Sequence, residues 1–303
     1  MERTIVHTDL DTFFVSCERL RDSRLENIPL IIGGQSDRGV VASCSYEARY
    51  YGVRSAMPMR MALRLCPQAK VIRGDMELYS QKSNEVTQII SENAPVMEKA
   101  SIDEFYLDVS GLDKYFGCYK WTNELIDKIM RETGLPISFG MSNNKTVSKI
   151  ATSEGKPKGR LEVQPSLMQG FLNPLSIKKI PMIGDETYRE LSRIGIRVIQ
   201  HLAETPQEFL YQMFGENGNT IWKKANGIDN SLVLPYNERK SISTERTFEK
   251  DTTAIQQLKA LLIKMVEELA FELRQSGQLT STIAVKIRYS NFDTESKQKT
   301  IEY

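Results

Sequence analysis

Along the first 160 residues the apolar positions switch repeatedly between a two-residue and a 3.6-residue period. That pattern predicts strands and helices alternating around one sheet. Residues 4–8 read as a buried strand that runs into Asp9-Leu10-Asp11, after which Phe13, Phe14, Cys17 and Leu20 recur at helical spacing. Further strands are expected at 29–32, stopped by Gly33-Gly34, and at 40–44, where small and β-branched residues gather. Pro58 and Pro67 bracket a helix over 58–65. Tyr79, Val86, Ile89 and Ile90 predict another over 76–93. Strands at 96–101 and 105–109 are joined through Ile102-Asp103-Glu104, and helix 118–133, strand 136–141 and helix 144–153 complete the series. Should the N-terminal strand lie beside the 96–109 hairpin, the acids on both come together.

Residues 166–228 change character. Pro174, Pro181, Gly184, Gly195 and Pro206 break them into short helical segments with no strand signal, as in a small all-helical module. Residues 229–242 read as a linker. The last unit is expected to contain a strand at 243–248, a helix over 253–275, a strand at 279–289 and a further strand starting at 299. In the helix, Ile255, Leu258, Leu262, Met265, Leu269 and Leu273 form an apolar stripe, with Gly277 just past its end.

At 303 residues the chain suits about two domains, at roughly 150 residues each. Hydrophobic residues at 40% allow real cores, and a net charge of +1 means that any positive surface for a polyanion must be local. Cys17, Cys44, Cys66 and Cys118 form no Cys-x-x-Cys pair, and His7 and His201 lie far apart. A structural zinc site is therefore not expected, and reduced thiols point to the cytoplasm. The N-terminus has no signal-peptide pattern. No stretch approaches the roughly 20 apolar residues of a membrane span, so no membrane partner is expected.

The candidate chemistry begins with carboxylates. Asp9 and Asp11 end one apolar strand, and Asp103-Glu104 stand at the tip of a hairpin with apolar flanks. Clustered carboxylates repel, so their placement makes sense around shared cations, and oxygen-only ligands suit Mg²⁺. The same acids also suit ordinary solvated turns. Tyr46 and Arg49, three apart after a strand, share one face of a helical turn, where an arginine fork binds phosphate or simply makes a surface ion pair. Lys145, Lys149, Lys156, Lys158 and Arg160 outnumber Glu154 and Glu162 between 141 and 165, either as a phosphate-facing strip or as a solvated helix face. Ile180-Pro-Met-Ile183-Gly184 reads as a turn between two short helices, either one whose backbone amides suit a DNA phosphate or part of an inert helical hairpin.

Four motifs then occur in order: Asp9-Leu-Asp-Thr-Phe-Phe, Ser43-Cys-Ser-Tyr-Glu-Ala-Arg, Ser101-Ile-Asp-Glu-Phe-Tyr-Leu-Asp and Gly155-Lys-Pro-Lys-Gly. Together they closely resemble the Y-family (lesion-bypass) DNA polymerases, in particular their bacterial members, over nearly the whole chain. The resemblance implies an α+β polymerase right hand. Residues 1–10 and 75–165 would form a ferredoxin-like palm and 11–74 small fingers. Residues 166–230 would form a helical thumb with a helix-hairpin-helix, 231–241 a linker and 242–303 an α/β little finger. It further implies template-directed extension of a primer with dNTPs at low fidelity, translesion synthesis and no proofreading. Two Mg²⁺ would be held by Asp9, Asp103, Glu104 and the Leu10 carbonyl. Phe14 would exclude the ribose 2′-hydroxyl and Phe13 would pack beside the sugar, with Tyr46, Arg49 and Lys156 on the triphosphate. Val40, Ala42 and Ala56 would roof the nascent base pair, and Lys145, Lys149, Ile183 and Gly184 would face DNA. The implied partners are primer-template DNA and dNTP, for a monomer, with a sliding clamp as a further partner of the family.

Two departures accompany the likeness. Phe105 stands where the family has alanine, which should change packing. The sequence stops at Tyr303, within or just after the third strand of the family's little finger. A shortened little finger without its second helix, last strand and clamp-binding tail is therefore expected, with a weaker hold on DNA. Two other readings keep the same acids: a two-metal nucleotide cyclase and a non-catalytic DNA-binding scaffold. Primer extension on a template separates both from a polymerase.

Overall fold

In the computed structural model, which describes residues 3–36, 38–115, 117–235 and 239–301, the first apolar run becomes strand β1 (Ile5–Leu10) and the first helical stripe α1 (Phe13–Arg21). Then come β2 (Leu30–Gly33), β3 (Val41–Cys44), α2 (Tyr46–Tyr50), α3 (Met59–Leu65) and β4 (Lys70–Ile72). The next group is α4 (Met76–Asn93), β5 (Val96–Lys99), β6 (Glu104–Asp108), α5 (Cys118–Thr133), β7 (Ile137–Ser142), α6 (Lys145–Gly155) and β8 (Arg160–Glu162). Short helices follow: α7 (Met168–Leu172), α8 (Asp185–Arg193), α9 (Ile199–Glu204), α10 (Gln207–Phe214) and α11 (Glu216–Ala225).

The expectation of one sheet in the first 160 residues is corrected. The strands form a five-stranded sheet, β5-β6-β1-β7-β8, and a separate three-stranded sheet, β3-β2-β4. β2 pairs antiparallel with β3 and parallel with β4. β4 and β8 are three residues each, too short to show a period, which is why the pattern missed them. In the larger sheet β1 is central and antiparallel to both β6 and β7. All six residues of β7 are buried.

Burial decides the packing. α5 buries Cys118, Thr122, Leu125, Ile126, Ile129 and Thr133, and its apolar side chains share one core with Val6, Leu10, Phe105, Leu107 and Phe139 of the sheet and with Val86 and Ile90 of α4. Phe105 is fully buried in that core. α6 packs directly against β7. A Cβ on Gly140 would lie 2.2 Å from the Ser148 carbonyl oxygen, so only glycine lets helix and strand approach this closely. Ser148 Oγ donates to the Ile5 carbonyl (2.8 Å) and Thr152 Oγ1 stands 3.0 Å from that of His7, which fixes the helix along β1.

The chain divides into two compact units, Met1–Tyr236 and Asn237–Tyr303. Residues 236–238 of the expected linker lie outside the described residues. In the second unit, α12 (Ile255–Gln275) precedes a hairpin of β9 (Thr282–Arg288) and β10 (Thr294–Thr300). The second strand thus begins at 294, not 299. Segment 243–248 is not a strand; side chains tie it, with Arg246 on Glu268 of α12 (2.8 Å) and Glu245 paired with Lys286 of β9. None of the described residues of the second unit is buried.

Candidate active site

The register of the central ladder brings the distant acids together. Asp9 on β1 pairs directly with Glu104 on β6, and the Leu10 amide donates to the Asp103 carbonyl (3.0 Å). The expectation that both 103 and 104 sit at a hairpin tip is thus refined. Glu104 opens the strand, and only Asp103 belongs to the turn. Ser101 shapes that turn, its hydroxyl donating to Asp103 Oδ1 (2.6 Å) while accepting from the Glu104 amide (3.1 Å).

Both ladder acids are largely covered and each faces a lysine. Lys149 Nζ lies 2.7 Å from both Glu104 oxygens, and Lys156 pairs with Asp9. Burial pushes the Asp9 carboxyl up to about 7; Lys156 works against that rise, and the nearby Glu104 and Asp103 charges add to it. One ammonium therefore does not offset the buried negative charge. Among the described residues no three His, Cys, Asp or Glu side chains already form a cage for an ion. The donor set is nevertheless hard oxygen, crowded, short of positive charge and held by two displaceable ammonium groups, which fits a hard divalent cation.

Asp11 is used differently. It is buried and accepts from Ser138 Oγ (2.9 Å) and from the Lys158 amide (2.7 Å). This anchors the Gly155-to-Gly159 turn against β7. A Cβ on Gly159 would stand 1.9 Å from the Gly155 carbonyl oxygen, so the turn closes only with glycine there. The result is that Lys156 is held over Asp9. Ser138 was not expected to matter, and its only sequence signal is a hydroxyl within an apolar strand.

Tyr46 and Arg49 lie on α2, capped by Ser45, whose hydroxyl accepts from the Ala48 amide. The Arg49 guanidinium stands 5.3 Å from the Tyr46 ring centre, and its Nε is buried with no partner among the described residues. The Tyr46 hydroxyl points toward Asp11 Oδ1 at 3.5 Å, and burial together with that acid drives its pKa up. Phe13 is buried, while Phe14 is half-buried and stacked on Tyr79 (4.3 Å, planes 11° apart). Tyr79 is itself locked by donating to buried Glu18 (2.7 Å). Tyr79 was expected only as an apolar helix position, yet it is the floor against which Phe14 lies.

Val40, Ala42 and Ala56 cluster about β3. The Ala56 amide donates to the Val41 carbonyl (2.8 Å), Val40 bridges to Pro58, and all three side chains are exposed. Ile183 is buried, and Gly184 starts α8 with open space around its Cα. Two lysines of the basic segment 141–165 have acidic partners. Lys145 is engaged by Glu98 (2.7 Å) and the Leu232 carbonyl, and Lys149 belongs to the carboxylate cluster.

Residues 8–153 match the impB/mucB/samB family, and residues 239–303 match the C-terminal domain of that family. The chain is 39% identical to a DNA polymerase IV of Dehalococcoides mccartyi over 299 residues, covering 98% of this chain and 77% of the relative. Among solved structures, a Y-family DNA polymerase chimera of Dbh and Dpo4 superposes with a TM-score of 0.86 at 26% identity, covering 99% of this chain and 88% of the other. An insertion ternary complex of Dbh DNA polymerase gives 0.71 at 25% identity with the same coverage.

Proposed function

The chain belongs to the impB/mucB/samB family, that of the Y-family DNA polymerases, and from that membership we propose how its residues divide the work of template-directed synthesis. It is a DNA-directed DNA polymerase of the translesion class, a nucleotidyltransferase acting on DNA and dNTP. In this reading residues 1–10 and 75–165 are palm, 11–74 fingers, 166–230 thumb and 242–303 little finger. Synthesis is of low fidelity and without proofreading.

The observation that carries the assignment of roles is the pairing of Asp9 with Glu104 across one ladder, each facing a single lysine. Asp9, Asp103, Glu104 and the Leu10 carbonyl are the ligands for two Mg²⁺. When bound, such ions lower the pKa of a primer 3′-hydroxyl and neutralise charge on the departing pyrophosphate. The chain's own side chains do the rest. With the Asp9 charge taken up, the Lys156 ammonium is released to the triphosphate. The Arg49 fork, whose Nε has no partner among the described residues, binds phosphate by paired hydrogen bonds. The Tyr46 hydroxyl donates beside it. Phe14, backed by Tyr79, fills the space of a ribose 2′-hydroxyl, and Phe13 packs against the sugar.

Val40, Ala42 and Ala56 present only small side chains to the nascent base pair, so shape is checked loosely and a damaged template base is accommodated. Ile183 and Gly184 meet a DNA phosphate through backbone, which carries no sequence information. Affinity for DNA accordingly falls with added salt. The test is primer extension with Mg²⁺ on a defined template, run beside Asp103→Ala. Template-dictated extension by the wild type, and its loss in the variant with DNA binding retained, is expected. Extension that survives the substitution, or a cyclic nucleotide product without template, overturns the assignment.

A further inference from the structure

Beneath the acid pair lies a histidine that the assigned mechanism does not use. His7, on β1, is 1% exposed and its ring packs edge-on against Tyr106 at 4.7 Å. Its Nδ1 is 2.9 Å from Thr152 Oγ1. Its Nε2 is fully buried, has no hydrogen-bond partner among the described residues, and stands 3.8 Å from Glu104 Oε1. At that distance there is no hydrogen bond, only an approach. A buried polar atom left without a partner is destabilising, so its persistence calls for a reason.

The tautomer follows from the surroundings. A bare Nε2 lone pair facing a carboxylate would repel it, so the hydrogen belongs on Nε2. Nδ1 is then an acceptor and shares the Thr152 hydroxyl proton with the His7 and Ser148 carbonyls, at 3.0 and 2.9 Å. Burial, with the charges of Lys149 and Lys156, lowers the ring's pKa. Glu104 is thus gripped by Lys149, at 2.7 Å from both oxygens, and also faced by an unused donor.

We propose that His7 is a positioning residue for Glu104: when Lys149 yields the carboxylate to a cation, His7 Nε2–H takes one Glu104 oxygen and aims the other at the metal. The arrangement has the logic of a ligand oriented by a hydrogen-bonded neighbour, whose loss typically weakens metal binding by about 10–100-fold. It rests on the reading of Glu104 as a ligand, and the experiment separates the two ideas.

Mn²⁺ alone is titrated into the full chain and free ion is followed by electron paramagnetic resonance, for wild type, His7→Phe, His7→Gln and Glu104→Gln, with thermal unfolding of each. Phenylalanine keeps the ring against Tyr106 and removes both nitrogens, whereas glutamine restores a donor near the Nε2 position. His7→Phe is expected to weaken Mn²⁺ binding about tenfold or more, His7→Gln to recover most of the loss, and His7→Phe added to Glu104→Gln to cost nothing further. If His7→Phe does not fold, Thr152→Val, which removes the hydroxyl that sets the tautomer while keeping its shape, is expected to weaken binding several-fold. Wild-type affinity in His7→Phe, or in Thr152→Val where that stands in, overturns the role of His7. So does equal weakness of the Phe and Gln variants. If wild type and Glu104→Gln bind Mn²⁺ equally, the ligand reading itself fails.

Discussion

The helices α5 and α12 carry similar apolar stripes, yet α5 buries six residues and α12 none. The difference lies in what each covers. α5 lies over a five-stranded sheet whose strand β7 is buried throughout, while α12 belongs to a unit with only a two-stranded hairpin, all of it exposed. Amphipathic periodicity states which face wants cover; it does not supply the cover. In the first unit that cover also creates the chemistry, because only an acid taken largely out of water, such as Asp9, is driven up to about 7 and so creates a demand for positive charge.

The comparison can be broken at the acids first. Asp9→Asn keeps the shape and removes the proposed ligand, so primer extension should fall by about 10³-fold or more, some 4 kcal/mol at about 1.36 kcal/mol per decade. Extension within tenfold of wild type would separate the buried charge from the chemistry. Packing gives the next effect. Phe139→Ala, in the core under α5, should destabilise the first unit by about 3–5 kcal/mol in denaturant unfolding.

A pH dependence comes third. The Asp9 pKa is raised from 3.8 to about 7 by folding, so between these values the folded chain binds the extra proton and stability falls as pH rises. Asp9→Asn should therefore raise the melting temperature by more at pH 8 than at pH 5. An equal gain at both would remove the burial argument. The smallest effect belongs to the second unit: Phe271→Ala, on an exposed face of α12, should shift stability by no more than about 0.5 kcal/mol. A loss comparable to that of Phe139→Ala would erase the contrast between the helices.

Long elements were legible in the sequence because many residues vote on one period. Helix 76–93 is observed as Met76–Asn93 and helix 118–133 as Cys118–Thr133. β4 and β8 were not, since three residues cannot display alternation, and without β4 the second sheet went unseen. At the site, Asp9, Asp103, Glu104, Tyr46 and Arg49 stood out because charged or polar side chains interrupt apolar runs. Their supports did not stand out. Ser138, Thr152 and Tyr79 look like ordinary strand or helix residues, and only the fold shows that they hold Asp11, His7 and Phe14. The lysines allowed either a phosphate-facing strip or a solvated helix face; that Lys149 reaches Glu104 was not legible, because it depends on the close approach of α6 that Gly140 permits.

The most direct test is a crystal structure of the chain with primer-template, dNTP and Ca²⁺, which occupies hard-cation sites at oxygen distances of about 2.3–2.6 Å. Carboxylate oxygens of Asp9, Asp103 and Glu104 at that distance from a shared cation, with Lys149 and Lys156 no longer on Glu104 and Asp9, is the predicted result. Both lysines still paired with those acids, and Ca²⁺ bound elsewhere, would contradict it.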